Sequence, residues 1–432
     1  MSGFPELPDG RLEQKLADKA PLFTHGEAVT EANRCIYCAD APCVEACPTG
    51  IDIPTFIHKI ATDNVRGSAR TIFAQNLLGA SCAQVCPVEV LCAGSCVYET
   101  WGRQAIQIGR LQRYATTAGL EKDPALLSRN AKPKTGKKVA CIGAGPASLA
   151  AAGQLALDGH SVTIFEKRDV PGGLNTTGVA PYKLFAEGAL REVEFILGLG
   201  DITLETGAEI DDAAAKKLLD DYDAVFVGIG LGPDSMLGFE GEGVVGATAL
   251  IERLKLDASL TLEGVETALV VGGGNTAVDI AHELALLGVP HVSMIYRKTE
   301  AVMTGYAHEM ATARKDGVRL IEHRSPLAIE REGEKLVGLR TQCMDGEGEE
   351  VFAGDMVIMA VGQSRLTGLA RAFDGVALDD KGRVVVDEAT CRTGHAKVYA
   401  GGDCVNGGKE VVNAAQHGKL AAAAISASFG AQ

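Results

Sequence analysis

The chain has 432 residues, a formal net charge of −15 and 52 glycines, and few of its residues are aromatic. The negative charge disfavours nucleic acid and anionic membrane surfaces as partners, and no apolar run is long enough to span a membrane. Because twelve cysteines occur without a signal-peptide core, the sequence predicts a cytoplasmic protein whose thiols bind metal.

Eight cysteines lie in two groups near the start of the chain. The first group reads C-x2-C-x4-C-x3-C-P over residues 35–48, and the second reads C-x3-C-P-x4-C-x3-C over residues 82–96. A ferredoxin run of this kind gives three thiolates to one four-iron cluster and its last cysteine to a neighbour. The spacing therefore predicts two clusters with exchanged ligands, within a helical segment. Structural zinc, the alternative, usually shows two separated C-x2-C pairs.

A dinucleotide-binding fingerprint follows the cysteine segment. Residues 137–142 predict a buried strand, and Gly143, Gly145 and Ser148 then form G-x-G-x-x-S at the start of a helix. Such glycines let a pyrophosphate approach the helix N-terminus. Glu166 ends the next predicted strand, where a carboxylate accepts hydrogen bonds from ribose hydroxyls.

A second fingerprint occupies residues 272–277 after another apolar strand and reads G-x-G-x-x-A. The strand after it ends in Arg297 and Lys298 rather than in an acid. These two side chains could receive the 2′-phosphate of NADPH. Glu300, close by in the sequence, would repel that phosphate.

Three further segments resemble those of flavoprotein reductases with two dinucleotides. Apolar strands at 225–230 and 355–362 match the strands that carry the chain into and out of an inserted nicotinamide domain. Residues 398–403 resemble the carboxy-terminal flavin motif, and the helix predicted at 411–427 would point its N-terminus at the flavin ring. FAD thus goes to the first fingerprint and the nicotinamide to the second.

The predicted fold is α/β, with two Rossmann-like dinucleotide-binding domains, the NAD(P) domain being inserted in the FAD domain. An α-helical domain with two [4Fe-4S] clusters precedes them. The predicted boundaries are 1–128 for the iron–sulfur domain, 129–235 and 356–432 for the two parts of the FAD domain, and 236–355 for the NAD(P) domain.

The cysteine segment resembles the amino-terminal part of dihydropyrimidine dehydrogenase, and more closely its separate bacterial flavin subunit. The likeness lies in residues 38–43 (CADAPC), 47–49, 76–87 and 108–112. By this resemblance the first cluster is bound by Cys35, Cys38, Cys43 and Cys96, and the second by Cys47, Cys86, Cys92 and Gln112. Spacing alone would give the eighth ligand position to Cys82, which the resemblance makes a buried spectator.

The resemblance also implies which residues contact the nucleotides. For FAD these are Gly143, Gly145, Ser148, Glu166, Gly173, Leu174, Gly230, Gly402, Asp403 and Asn413. For NAD(P) they are Gly272, Gly274, Asn275, Thr276, Ala277, Arg297 and Lys298. No catalytic residue beyond the bound flavin is expected.

The function implied is that of an electron-input subunit. FAD would take a hydride from NADH, with NADPH as the alternative, and two clusters would carry single electrons away. A separate FMN- and iron–sulfur-containing subunit would reduce uracil and thymine, most simply within a heterotetramer. The small subunit of glutamate synthase, whose family has a glutamate at position 112, and the subunit of a ferredoxin-dependent transhydrogenase stay open. An alternative from another class is a non-catalytic zinc-binding protein that retains a degenerate Rossmann fold. Such a protein would be colourless, whereas a protein with FAD and iron–sulfur clusters would be yellow-brown.

Overall fold

A computed structural model describes residues 4–430. The chain begins with a helical domain, continues into a five-stranded parallel sheet and inserts a second five-stranded parallel sheet with a small antiparallel sheet beside it. The predicted fold class is therefore confirmed. No helix within residues 4–430 has the length and apolar character needed to cross a bilayer.

The helical domain has short helices with clear start signals. Thr24 and Glu27 form a reciprocal capping box at the first helix, and Asp52 caps the third by accepting from the Thr55 amide. Phe56 and Leu111 are buried in its core. The helices are α1 (His25–Ala32), α2 (Pro42–Glu45), α3 (Ile53–Ala61), α4 (Val65–Phe73), α5 (Gly79–Val85), α6 (Val97–Thr100) and α7 (Ile108–Lys122).

The strands and helices after the helical domain alternate as in other dinucleotide-binding proteins. The strands are β1 (Lys138–Ile142), β2 (Ser161–Phe165), β3 (Ile202–Glu205), β4 (Ala224–Val227), β5 (Val244–Gly246), β6 (Thr267–Val271), β7 (His291–Ile295), β8 (Arg319–Ile321), β9 (Arg324–Glu332), β10 (Lys335–Cys343), β11 (Glu349–Ala353), β12 (Met356–Met359) and β13 (Val398–Ala400). The helices are α8 (Pro146–Leu157), α9 (Leu174–Thr177), α10 (Ala186–Leu197), α11 (Asp212–Asp221), α12 (Ala247–Leu256), α13 (Asn275–Leu286), α14 (Ala307–Lys315), α15 (Thr367–Arg371), α16 (Asp403–Asn406) and α17 (Val411–Gly430).

The first parallel sheet has the strand order β13-β4-β1-β2-β3. Strands β1 and β4 are almost entirely buried, as expected for strands covered on both faces. Helices α8 and α17 pack against each other, and Gly418 of α17 leaves the space that the Ala150 side chain of α8 requires. The end of the chain thereby closes the domain that β1 opens.

The second parallel sheet has the order β5-β12-β6-β7-β8, and β9, β10 and β11 form the antiparallel sheet. Strand β12 lies between β5 and β6, with Val357 opposite both Val244 and Leu269. The inserted domain therefore extends to the end of β12 at Met359, and the boundary predicted at residue 355 falls too early. A short apolar strand such as β12 has the same sequence pattern in either sheet. The pattern therefore cannot show where the inserted domain ends.

A buried carboxylate joins the helical domain to the first sheet's domain. Glu192 of α10 accepts from the backbone amides of Ala80, at 2.7 Å, and Ser81, at 3.1 Å, in the first turn of α5. It thus satisfies amides that a helix leaves free at its start. Burial raises the pKa of Glu192 to about 7, and the hydrogen bonds oppose that rise.

Candidate functional site

A cavity of about 680 Å³ lies at the carboxyl ends of the first sheet's strands, where open parallel sheets bind ligands. We call it the central cavity. Of the ten predicted flavin contacts, Ser148 and Asn413 do not line it. The other eight do, and they are Gly143, Gly145, Glu166, Gly173, Leu174, Gly230, Gly402 and Asp403.

The two leading glycines of the first fingerprint have different roles. Gly143 has a φ of +88°, and a Cβ on it would stand 2.6 Å from the carbonyl oxygen of Gly228, so this position needs glycine for the fold itself. Gly145, just before α8, has an ordinary φ of −81°. The nearest atom to a Cβ there would be Gly173 Cα, at 3.9 Å. The absence of that side chain leaves open space at a helix N-terminus, which fits a pyrophosphate.

Glu166 lies directly beside the glycine turn. Its Oε2 accepts from the Ala144 amide at 2.7 Å and its Oε1 from the Arg168 amide at 2.9 Å, and the residue is buried. Two backbone donors therefore fix the carboxylate at the edge of the cavity. Ser148 is fully buried, and its Oγ would collide with any side chain at Gly228. Its role is to pack α8 against the end of β4.

The carboxy-terminal motif forms the opposite wall. Asp403 accepts from the Lys409 amide at 3.3 Å, and burial raises the pKa of its carboxyl. The Gly402 amide donates to His417 Nδ1 at 3.0 Å, which ties this loop to α17. The first turn of α17 lines the cavity through Val411. The N-terminus of α17 thus opens onto the cavity.

The second fingerprint occupies the corresponding turn of the inserted sheet. A side chain at Gly272 would collide with the Ala360 carbonyl, whereas a Cβ at Gly274 would meet its nearest atom at 3.5 Å. Ala277 is fully buried and Thr276 half-buried at the start of α13. Asn275 is the member of the predicted nicotinamide set that lines the central cavity. The turn has the open space at a helix N-terminus that a pyrophosphate requires.

Two exposed cations stand at the end of β7. Arg297 and Lys298 follow Ile295, which pairs with Val271 immediately before the second fingerprint, so they share its edge of the sheet. Glu300 was expected to repel a phosphate at this position. Its Oε2 forms an ion pair with Arg314 Nη2 at 2.8 Å. That ion pair reduces the repulsion, because a neighbouring cation offsets the carboxylate charge.

A polar contact that the sequence did not reveal joins the two dinucleotide domains across the cavity. Lys183 Nζ lies 2.6 Å from both Asp279 Oδ1 and Glu309 Oε1, and all three line the cavity. Burial disfavours the charged amine, but the two carboxylates raise the pKa of Lys183 above its usual value. The Tyr306 hydroxyl also donates to Glu410 Oε1 at 2.7 Å. In each of these contacts the two partners are more than 90 positions apart in sequence, and no local pattern connects them.

The cysteines predicted for the first set, Cys35, Cys38, Cys43 and Cys96, lie close to one another. Burial raises the pKa of the Cys43 thiol to about 12, and nearby thiolates of Cys35, Cys96 and Cys38 raise it further. A cation placed among such thiols would favour their ionised form, which is the form that binds iron. The donor set therefore fits a four-iron cluster.

The second cysteine set, Cys47, Cys86 and Cys92, shows the same coupling. Burial raises the pKa of Cys92 to about 12, with the Cys47 thiolate as the next contribution. No three His, Cys, Asp or Glu side chains among residues 4–430 are arranged to hold a single metal ion. A four-iron cluster, unlike one ion, stands between its ligands and separates them.

Both candidates for the eighth ligand are buried near the second set. Cys82 lies one turn before Cys86 on α5, where its thiol contacts that of Cys86 and accepts from Asn76 Nδ2 at 3.2 Å. Gln112, on α7, donates from Nε2 to the Gly79 carbonyl at 2.7 Å. That bond orients the amide and leaves the oxygen as its electron-pair donor. The choice between the two stays a prediction.

The central cavity extends to the residues that flank Cys86. Val85 and Pro87, on either side of this cysteine, line it together with the first fingerprint. Cys86 also packs against the hydrophobic core that contains α8 and α17, whereas Cys47 and Cys92, like Cys35, Cys43 and Cys96 of the first set, pack against the core of the helical domain. Of the seven cysteines in the two sets, Cys86 is thus the one that lies on the flavin side.

Comparison with known proteins agrees with this geometry. Residues 12–123 match the family model described as dihydropyrimidine dehydrogenase domain II, 4Fe-4S cluster, and residues 137–418 match pyridine nucleotide-disulphide oxidoreductase. The thioredoxin reductase of T. acidophilum aligns with a TM-score of 0.55 at 23% identity, over 68% of this chain and 99% of that one. The chain therefore belongs to the pyridine nucleotide-disulphide oxidoreductases, with an iron–sulfur domain in front.

Its relatives narrow the family further. The NAD-dependent dihydropyrimidine dehydrogenase subunit PreT of Escherichia coli K12 is 36% identical over 413 residues, covering 95% of this chain and 96% of that protein. The glutamate synthase [NADPH] small chain of the same strain is 33% identical over 437 residues, covering 93% and 92%. The chain is a PreT-like electron-input subunit that uses FAD, [4Fe-4S] clusters and a pyridine nucleotide.

Proposed function

We propose that this chain is the electron-input subunit of a heteromeric dihydropyrimidine dehydrogenase that reduces uracil and thymine on a separate FMN- and iron–sulfur-containing subunit, in a heterotetramer. The observation that supports this electron route is that Val85 and Pro87, the two neighbours of Cys86, line the central cavity. The similarity to PreT supports the substrate class. Because thiols that hold iron need a reducing compartment, we propose the cytoplasm as its location.

The residues proposed to hold FAD are the eight predicted ones that line the central cavity, without Ser148 and Asn413. The predicted nicotinamide residues and the two cluster sets are proposed unchanged. Bound in the central cavity, FAD would accept a hydride from the nicotinamide and release electrons singly to the clusters. The backbone at Gly145 would receive its pyrophosphate, and the amides that fix Glu166 would hold the carboxylate ready for the ribose. The start of α17 would present its amides to the flavin ring. The second cysteine set would receive electrons first.

We propose that electrons pass to the partner subunit from the cluster held by the first cysteine set. The loops that carry it expose Ile36 and Trp101, each about half accessible. The two loops are tied together because the Tyr98 hydroxyl donates to the Arg34 carbonyl at 2.7 Å, and the Arg34 guanidinium lies over the Tyr98 ring. A partner seated here would bring its own cluster near the first set.

NADH is the proposed donor, as the name of the PreT relatives indicates. The exposed Arg297 and Lys298 keep NADPH as the alternative, because the Glu300 carboxylate is already paired with Arg314. Reduction of the bound flavin by each nucleotide, followed by stopped-flow absorbance, discriminates the two. Faster reduction by NADPH would overturn the choice of NADH.

The decisive experiment combines the purified chain with candidate partners. We expect two four-iron clusters per FAD, bleaching by NADH, and NADH-dependent uracil reduction only after addition of an FMN-binding pyrimidine-reducing subunit. A Cys86→Ala variant should still show flavin bleaching but lose transfer to the partner. If a glutamine-hydrolysing partner instead supports NADPH-dependent glutamate formation, the chain is a glutamate synthase small subunit. The 33% identity to that protein is the observation that supports this alternative.

A further inference from the structure

One lysine connects the end of the flavin domain to the cysteine-bearing loops. Lys419 of α17 donates from Nζ to the Thr49 carbonyl at 3.0 Å and to Gln75 Oε1 at 2.7 Å. Thr49 Oγ1 in turn lies 3.4 Å from Cys47 Sγ, within hydrogen-bonding reach of the sulfur. The amine is thus held beside the second cysteine set by two bonds to the helical domain.

The Lys419 amine interacts electrostatically with the Cys47 sulfur. Burial lowers the pKa of Lys419, and the Cys47 thiolate opposes that shift. The amine binds the carbonyl of Thr49, two residues after Cys47, so its positive charge lies close to that sulfur. Gln75 and the Thr49 backbone are neutral, so the hydrogen bonds hold the cation without neutralising it.

Helix α17 places the amine on the path from the flavin to the cysteines. Val411 and Ala414 on its first turns line the central cavity, and Lys419 lies five residues further, about 7.5 Å along the axis. Pro87 brings the second cysteine set to the same cavity from the other domain. One helix therefore contacts both the flavin site and the loop of Cys47.

We propose that Lys419 raises the reduction potential of the cluster held by the second cysteine set, and so favours the transfer of an electron out of the flavin. A four-iron cluster gains one negative charge on reduction, which a fixed neighbouring cation stabilises. One electron would pass from the reduced flavin to the oxidised cluster, and Lys419 would exchange neither electron nor proton. The inference rests on the proposed cofactor assignment.

Three variants of the holoprotein test this role. Lys419→Met removes the charge and keeps an unbranched side chain, and Lys419→Arg keeps the charge. Lys397→Met is the matched control, since Lys397 likewise donates two hydrogen bonds to neutral acceptors, the carbonyls of Leu219 and Tyr222, but in the remote part of the first sheet's domain. The readout is an EPR-monitored redox titration of both clusters.

In Lys419→Met the ratio of reduced to oxidised second cluster at a fixed potential should fall about tenfold, equivalent to about 59 mV for a one-electron couple. The first cluster should change far less, and Lys419→Arg and Lys397→Met should match the wild type. An unchanged second-cluster potential in Lys419→Met, or an equal shift in Lys397→Met, overturns the proposal. A wild-type protein without two clusters or FAD would instead contradict the cofactor assignment, so the two failures are distinguishable.

Discussion

Replacing Gly145 by alanine separates flavin binding from folding. The backbone there has φ −81° and ψ 178°, which alanine adopts without strain, and the new Cβ would meet nothing closer than 3.9 Å. The apoprotein should therefore keep its stability within about 0.5 kcal/mol, as for a substitution that disturbs no contact. The methyl group would instead occupy space that we assign to the FAD pyrophosphate.

The expected loss of affinity follows from that crowding. Forcing an added methyl group into a filled site costs about 1–3 kcal/mol, which corresponds to a dissociation constant for FAD raised about 5- to 150-fold. The assay is titration of the deflavinated protein with FAD, followed by flavin fluorescence, with iron content and thermal unfolding measured in parallel. Iron content should not change, because the cysteine sets lie in another domain.

Two other glycines serve as controls. Gly26→Ala on α1 also adds a methyl group in open space, but away from the cavity, and should change nothing. Gly143→Ala should fail to fold well, because its φ is +88° and its Cβ would stand 2.6 Å from the Gly228 carbonyl oxygen. Wild-type FAD affinity in a folded Gly145→Ala protein would refute the placement of the pyrophosphate at this turn.

Three further outcomes are expected. Gln112→Ala should lose about half of the bound iron while Cys82→Ser keeps it, by iron assay; the reverse result would make Cys82 the eighth ligand. Because the raised pKa of Glu192, about 7, makes its ionised form costly in the folded state, Glu192→Gln should gain stability relative to the wild type as the pH rises from 5.5 to 7, by about 2 kcal/mol in thermal unfolding; a constant difference would contradict this. Arg297→Ala with Lys298→Ala should slow flavin reduction by NADPH about tenfold and leave NADH unaffected; an equal loss with both would show that these cations do not read the 2′-phosphate.

The parts of the fold that could be predicted are those specified by patterns among neighbouring residues. A buried strand, a glycine turn and a helix recur at residues 138–157 and 267–286, and both became parallel sheets with the turn at the carboxyl end. The antiparallel strands β9 to β11 were not predicted. The half-exposed or exposed residues of β9 and β11 give weak alternation and little apolar character, so β10 had no recognisable partner strand. The end of the inserted domain was also missed, since the pairing partners of β12 lie about 90 and 110 residues earlier.

The candidate site divides in the same way. The glycines and cysteines were recognisable because their chemistry depends on spacing within a few residues. Lys183, which binds Asp279 and Glu309 across the domain boundary, carries no such spacing, since its partners come from another sheet. The capping role of Glu192 could not be predicted either. Glu192 lies on α10, far in sequence from the start of α5 that it caps, so the residues around α5 give no sign of it.

Helix α17 has a consequence for folding kinetics. Lys419 binds Thr49 and Gln75, which lie 370 and 344 positions earlier in the sequence, and the first turn of the helix walls the cavity that β1 begins. Contacts between residues so far apart form only after a large loop has closed, at a cost in chain entropy. The docking of α17 should therefore be a late folding step that completes one wall of the flavin site and fixes the loop of Cys47 at the same time.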